Sequence, residues 1–179
     1  GYGQWSIAIE CLNNNVVRID IESKRVEFCK SLSKKLLLKN NFYFCNNLLD
    51  LKGDFNNDFD AIFSYTSLPL TPFLKTIKLF NLILKPKVRL YLSCYDLGWM
   101  LYNIENNNWE KKNYDSRKWA IESIKNTNYY LANKTFNKSN SNESMYIPKD
   151  IILEKLDNLG FEIISICGNG LTTNKEGRG

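Results

Sequence analysis

The 179-residue sequence contains no histidine, and that absence excludes more than any other feature. A Ser-His-Asp triad, a Cys-His dyad, an H-E-x-x-H metalloprotease and an H-x-E zinc deaminase all require an imidazole. No uninterrupted apolar run approaches the roughly 18 residues of a membrane-spanning helix. No basic-then-apolar leader opens the sequence, so secretion gains no support and no membrane partner is expected. The five cysteines (Cys11, Cys29, Cys45, Cys94 and Cys167) are odd in number and contain no C-x-x-C pair. A zinc knuckle or thioredoxin-like motif is thereby disfavoured, and no metal site is expected. Most of them sit among apolar neighbours, which reads as reduced thiols in a cytoplasmic protein.

One-signed charge is also scarce. With 24 basic and 19 acidic residues the net charge is +5, and the lysines are scattered rather than gathered into a stripe that would track phosphates. Asparagine, by contrast, is abundant. Its 24 copies include the runs Asn13-Asn14-Asn15 and Asn106-Asn107-Asn108, which favour turns and loops. A 44% hydrophobic content suffices for a sizeable core, so a single domain over residues 1–179 is expected. Opening on Gly1 rather than Met reads as the continuation of a longer protein.

Along the chain, short apolar runs alternate with helical patterns. Val16-Val17-Arg18-Ile19-Asp20 reads as a strand ending on an acid. Val26, Cys29, Leu32 and Leu36 fall at helical spacing over 23–39. Phe42 to Cys45 and Asp60 to Ser64 read as further strands. Pro72 opens a helix carrying Phe73, Ile77, Phe80 and Leu84, which Pro86 stops. Val88 to Cys94 is a fourth strand with Val88, Leu90, Leu92 and Cys94 on one face. Residues 103–146 break the rhythm, with one helical island over 116–125 and a loop over 133–144. A helix begins at Pro148 and is capped by Gly160, and 161–166 reads as a fifth strand. Strands alternating with helices predict α/β architecture: an open, mostly parallel twisted sheet with helices on both faces. Ligands of such folds bind beyond the carboxyl ends of the strands.

Three features stand at such ends, each with an alternative. Gly1-Tyr2-Gly3 is a G-x-G turn leading into an apolar helix, suited to close ligand approach or to a turn alone. A dinucleotide fingerprint wants a third glycine where Ser6 stands, which disfavours a nicotinamide cofactor. Asp20 follows 17 positions after Gly3, suited to accepting both hydroxyls of a ribose or to capping the next helix. Asn47, after the next strand, suits an adenine amino group or an ordinary turn.

Together these motifs resemble class I S-adenosylmethionine-dependent methyltransferases. Gly1-Tyr2-Gly3-Gln4-Trp5-Ser6 is similar to the end of their motif I, in its G-C-G-x-G-x-W-S form. Val16 through Ser23 resembles motif II, whose acid holds the ribose, with Asp20 matching it and Glu22 nearby. Cys45-Asn46-Asn47-Leu48 is similar to the adenine-contacting motif, with Asn47 where the family commonly has Asp. Phe59 to Ser64 resembles motif IV. Leu84-Lys85-Pro86-Lys87 to Leu92 resembles the family's L-k-P-g-G segment, with Val88 in place of a glycine, and residues 147–163 resemble a late stretch of the fold. The likeness implies S-adenosylmethionine as cofactor and S-adenosylhomocysteine as product, bound by Gly1, Tyr2, Gly3, Trp5, Asp20, Ile21, Asn47, Leu48, Ser64 and Tyr65.

It further implies in-line methyl transfer governed by positioning. Tyr95, Trp99 and Tyr102 are expected to contact the acceptor, and Asp96 is the candidate general base, since no imidazole is present. The aromatic-rich segment 103–146 is expected to form a lid for substrate recognition, or else a small satellite core. A small-molecule acceptor methylated at oxygen is expected. An RNA-modifying enzyme of the same fold is the alternative, although Ser64-Tyr65-Thr66-Ser67-Leu68-Pro69 lacks the Asn-Pro-Pro-aromatic motif of base-nitrogen enzymes. A non-catalytic binding protein retaining the fold is another.

Overall fold

The computed structural model describes residues 3–12, 15–38, 41–44, 48–53, 55–106, 115–136 and 144–168. The chain divides into two compact units, Gly1–Asp58 and Phe59–Gly179.

In the first unit, Gly3 leads into α1 (Gln4–Glu10), followed by β1 (Val17–Asp20), α2 (Ser23–Lys35) and β2 (Asn41–Phe44). A 3-10 turn covers Leu48–Gly53. Strands β1 and β2 are parallel, with Val17 opposite Asn41 and Asp20 opposite Phe44. Parallel strands require a crossover connection, and α2 supplies it. Val26, Cys29 and Ser33 are the buried residues of α2. Their spacing of three and four puts them on one face, and the helix packs on both strands.

The expected helix over 23–39 ends earlier, at Lys35. Leu37 adopts a left-handed conformation with φ 55, and the Leu38 N–H donates to the Ser33 carbonyl at 3.0 Å. That turn closes the helix where its buried stripe runs out, for Leu36 and Leu37 are both exposed. Leu37→Gly is therefore expected to stabilise the first unit by about 1 kcal/mol. A left-handed non-glycine residue costs roughly 1–2 kcal/mol, partly offset by the backbone entropy of glycine. The Leu37 side chain, 90% exposed, loses no burial. Urea unfolding of both proteins checks this, and a lower midpoint for the variant would refute it.

The second unit begins with β3 (Phe59–Tyr65). A 3-10 turn over Leu68–Leu70, α3 (Phe73–Ile83) and β4 (Leu84–Ser93) follow. Strands β3 and β4 are parallel, with Phe63 opposite Tyr91 and Tyr65 opposite Ser93. The register slips between the Phe59–Leu84 and Ala61–Arg89 pairs. Pro86 has no N–H to give the ladder, and Lys87 beside it has φ 61. Pro86 thus lies inside β4 rather than at the helix end. Its effect on α3 is indirect, because the residue before a proline avoids helical backbone. Along β4, Val88, Leu90 and Leu92 are more covered than Arg89 and Tyr91, in agreement with the expected alternation.

Three helices complete this unit: α4 (Leu97–Asn106), α5 (Ser116–Asn133) and α6 (Lys149–Asp157). The core gathers Leu68, Phe73, Ile77, Leu79, Phe80 and Ile83 with Met100, Ala120, Tyr130, Met145 and Ile147. Phe73 and Tyr130 meet ring to ring at 5.0 Å. Helix α5 runs for 18 residues, well beyond the island expected over 116–125. Its buried stripe is Ser116, Ala120, Ser123, Thr127 and Tyr130, a helical period written mostly in small polar residues, which let α4 and α5 pack together. Residues 144–147 are strapped across the core. Met145 N–H donates to Pro69 O at 2.9 Å and Ile147 N–H to Tyr95 O at 2.8 Å. The Thr127 hydroxyl lies 2.9 and 3.0 Å from the Ser123 and Tyr146 carbonyls. Helix α6 ends as expected near Gly160, whose φ is 80, with Phe161 N–H donating to Leu156 O at 3.0 Å.

The chain is therefore mixed α/β, with six α-helices and two parallel two-stranded pairs among the described residues. The expected fifth strand is not formed. Residues 161–167 have no strand partner among the described residues, and Ile163, Ile164 and Ile166 are exposed. An apolar run becomes a strand only where an edge is there to accept its hydrogen bonds.

Candidate functional site

Two clusters hold the expected site residues, one in each unit. In the first, Gly3 is the N-cap of α1 with φ 92 and ψ 3, a conformation that favours glycine. A Cβ at Gly3 would also meet the Arg18 guanidinium and come within 3.2 Å of Cys29 Sγ. Position 3 thus favours glycine by its backbone conformation, and a side chain there would also have to displace the Arg18 guanidinium. Arg18 Nη1 donates to Cys29 Sγ at 2.6 Å, and its Nη2 lies 3.7 Å from Asp20 Oδ2.

Asp20, the last residue of β1, is mostly covered: its side chain is 11% exposed. Its Oδ1 accepts the Glu22 N–H at 3.0 Å and lies 3.9 Å from Arg25 Nη1. The acid therefore steadies the turn before α2 while carrying two guanidinium groups, but it does not cap the helix as the alternative expected: the N-cap is Glu22. Arg18 was missed in the sequence reading. Its signal was there, as a lone cation inside the apolar run Val16 to Ile19. This one side chain links the Gly3 turn, the end of β1 and the buried face of α2. Trp5 and Ile21 are about half exposed, and Leu48 begins the 3-10 turn. Gly1, Tyr2 and Asn47 lie outside the described residues.

In the second unit, Ser64 and Tyr65 end β3 but point to opposite faces of it, as alternation along a strand requires. Ser64 is buried, its hydroxyl 2.8 Å from that of Ser67. Tyr65 is exposed and stacks with Phe63, which stacks in turn with Tyr91. The two residues therefore do not line a common face.

Tyr95, Trp99 and Tyr102 do come together. Tyr95 follows β4, and the other two lie three residues apart on α4, hence on one side of it. Tyr95 and Trp99 are 6.5 Å apart with 19° between their planes, and Trp99 and Tyr102 are 5.5 Å apart with 16°. Trp119 of α5 meets Tyr95 edge-on at 5.6 Å. The result is a ladder of three near-parallel rings braced at one end. Asp96 sits at its foot, with Oδ1 accepting the Trp99 N–H at 3.0 Å as a cap on α4. Cys94 stands just before, and burial pushes its thiol up to about 12. It is protonated at neutral pH, so it is neither nucleophile nor base.

A groove of about 410 Å³ at the start of α5 is lined by Asp115, Arg117, Lys118, Ile121, Glu122 and Lys125. None of the expected site residues borders it. Among the described residues there is no group of three side chains fit to hold a metal ion. No helix among them is long and apolar enough to cross a membrane. Compared with family models and with curated proteins, the chain matches none.

Proposed function

We propose that this chain is a methyltransferase domain spanning residues 1–179, built on an open, mostly parallel sheet with helices on both faces. In this reading it uses S-adenosylmethionine to methylate a small-molecule acceptor at oxygen. The observation that carries the proposal is the order within the first unit. A left-handed glycine opens α1, an acid closes β1, a helix crosses over to a parallel β2, and Arg18 ties the glycine turn to the acid.

The residues present fit the cofactor. The Asp20 carboxylate keeps lone pairs beyond its bond to Glu22, enough to accept ribose hydroxyls. Arg18, already bonded to Cys29 and facing Asp20, would hold the Gly3 turn and the Asp20 carboxylate in place. Bound there, S-adenosylmethionine would supply an electrophilic methyl group on a sulfonium centre. Asn47 and Leu48 would meet the adenine, with Gly1, Tyr2, Trp5 and Ile21 as further contacts. Asp96 would take the acceptor's proton, and Tyr95, Trp99 and Tyr102 would hold the acceptor. The free thiols at Cys11, Cys29, Cys94 and Cys167 suit a cytoplasmic setting.

Calorimetry with S-adenosylhomocysteine and with NAD tests the cofactor. Binding of the first alone is expected, and binding of NAD alone would overturn the proposal. The acceptor class is tested by titrating mixed tRNA at roughly 50 and 200 mM salt, a range over which phosphate contacts lose affinity steeply. Negligible binding is expected. Micromolar, salt-sensitive binding would replace the small molecule with RNA as substrate.

A further inference from the structure

We infer that the C-terminal tip of α2 docks on an anionic lipid surface, with Leu37 entering the headgroup layer and the neighbouring lysines meeting the acidic headgroups. The tip lies at the opposite end of α2 from Asp20, and the inference stands without the methyltransferase reading. A peripheral contact of this kind needs no spanning helix, and none is present among the described residues.

Leu37 is an unexpected residue on two counts. Its φ of 55 is a backbone conformation that glycine adopts freely and a bulky residue rarely. Its side chain is 90% exposed, and that of Leu36 beside it is 49% exposed. A residue needed only to end the helix would be glycine or asparagine. Nor is the tip loose: the N–H groups of Leu36, Leu37 and Leu38 donate to the Leu32, Lys34 and Ser33 carbonyls at 3.0, 3.3 and 3.0 Å. The fold thus holds an apolar side chain out in water on a fully bonded turn.

The second observation is the charge around it. Lys30, Lys34 and Lys35 are exposed, and Lys39 follows the leucines in sequence. The ion pairs of the first unit join Asp20 to Arg18 and Arg25, so Lys30, Lys34 and Lys35 have no acidic partner among the described residues. Glu27 is the one acid within α2, and it lies a turn back from the tip. Lys34 and Lys35 also suit the negative end of the helix dipole, but that role explains neither Lys30 nor the exposed leucines. Leucines flanked by lysines match a bilayer interface that is apolar below and negative above.

Other occupants fit less well. In a twofold contact a second copy would bring the same lysines face to face. A protruding tip also offers a rigid protein partner little of the area that a specific interface requires, whereas lipid closes around a protrusion.

The test is co-sedimentation of the full chain with two kinds of vesicle. One contains about one-third phosphatidylserine in phosphatidylcholine, an anionic surface, and the other phosphatidylcholine alone. Binding to the anionic vesicles only is expected. Its affinity should fall at least about tenfold between roughly 0.1 and 1 M salt, as screening shortens from about 10 to about 3 Å. Asparagine tolerates the left-handed backbone, so Leu37→Asn should fold with no lower a urea midpoint and yet bind the vesicles about tenfold more weakly. Lys34→Gln should cost about fivefold, and Leu37→Met should bind like the unaltered chain. Calorimetry with S-adenosylhomocysteine should give one affinity for all four proteins. Absence of vesicle binding, equal binding to both vesicles, or binding untouched by Leu37→Asn would overturn the inference. So would self-association in the ultracentrifuge that Leu37→Asn abolishes, which would assign the tip to a second copy. Vesicle binding as expected without S-adenosylhomocysteine binding would support the inference and overturn the methyltransferase proposal alone.

Discussion

Phe73→Ala is expected to destabilise the second unit by about 3–5 kcal/mol, the usual range for emptying a buried aromatic site. Phe73 is the first residue of α3 and is fully buried. Its ring contacts Tyr130 of α5, so one side chain joins the crossover helix to the long helix of the former insertion. Removing it leaves a cavity beside Tyr130, whose position is also fixed by α5, so collapse into the space is limited. An effect of that size is a large part of a typical domain's stability. Urea unfolding followed by the fluorescence of Trp99 and Trp119 reads it directly. A loss below about 1 kcal/mol would mean that the site closes up around the alanine, contrary to the packing described here.

Asp20→Ala is expected to weaken S-adenosylhomocysteine binding by about 1.5–3 kcal/mol, the worth of hydrogen bonds to a charged group. That is a loss of roughly tenfold to somewhat over a hundredfold. The structure adds a second consequence. Without Asp20, the Arg18 and Arg25 guanidinium groups lose their shared carboxylate and the Glu22 N–H loses its acceptor. Some loss of stability should therefore accompany the loss of affinity. Calorimetry and urea unfolding on the same variant separate the two effects. A stability loss with unchanged affinity would reduce Asp20 to a structural residue that steadies the turn before α2 and its two arginines. A larger affinity loss in Glu22→Ala would move the ribose contact two residues along the chain.

Much of the architecture was legible because burial writes itself in apolar letters. The runs around Val17, Phe59 and Val88 became strands, and the period through Phe73, Ile77 and Phe80 became α3. The punctuation was legible too, at Gly3 and Gly160, where a left-handed backbone favours glycine. Helix α5 was mostly hidden, because its inward face is Ser116, Ser123 and Thr127. Small hydroxyl residues satisfy themselves on nearby carbonyls, as Thr127 does, and leave no apolar signature. The end of α2 was misjudged for the converse reason. Leu36, Leu37 and Leu38 look like a continuing stripe, yet nothing in the first unit buries the first two.

The site divides in the same way. Residue identity alone excluded imidazole chemistry and singled out Gly3, Asp20 and the aromatic cluster. Only tertiary structure could bring Arg18 against Gly3 and Asp20, since their approach depends on a strand and a turn distant in sequence. Only the start of α4 could align Tyr95, Trp99 and Tyr102 into one ladder, because a ring's plane is set by the backbone that carries it and the neighbours that brace it. Whether the run over 161–166 formed a strand was likewise outside the reach of sequence. Its apolar residues supply the propensity, but the hydrogen bonds must come from another strand's edge, and no described strand provides one.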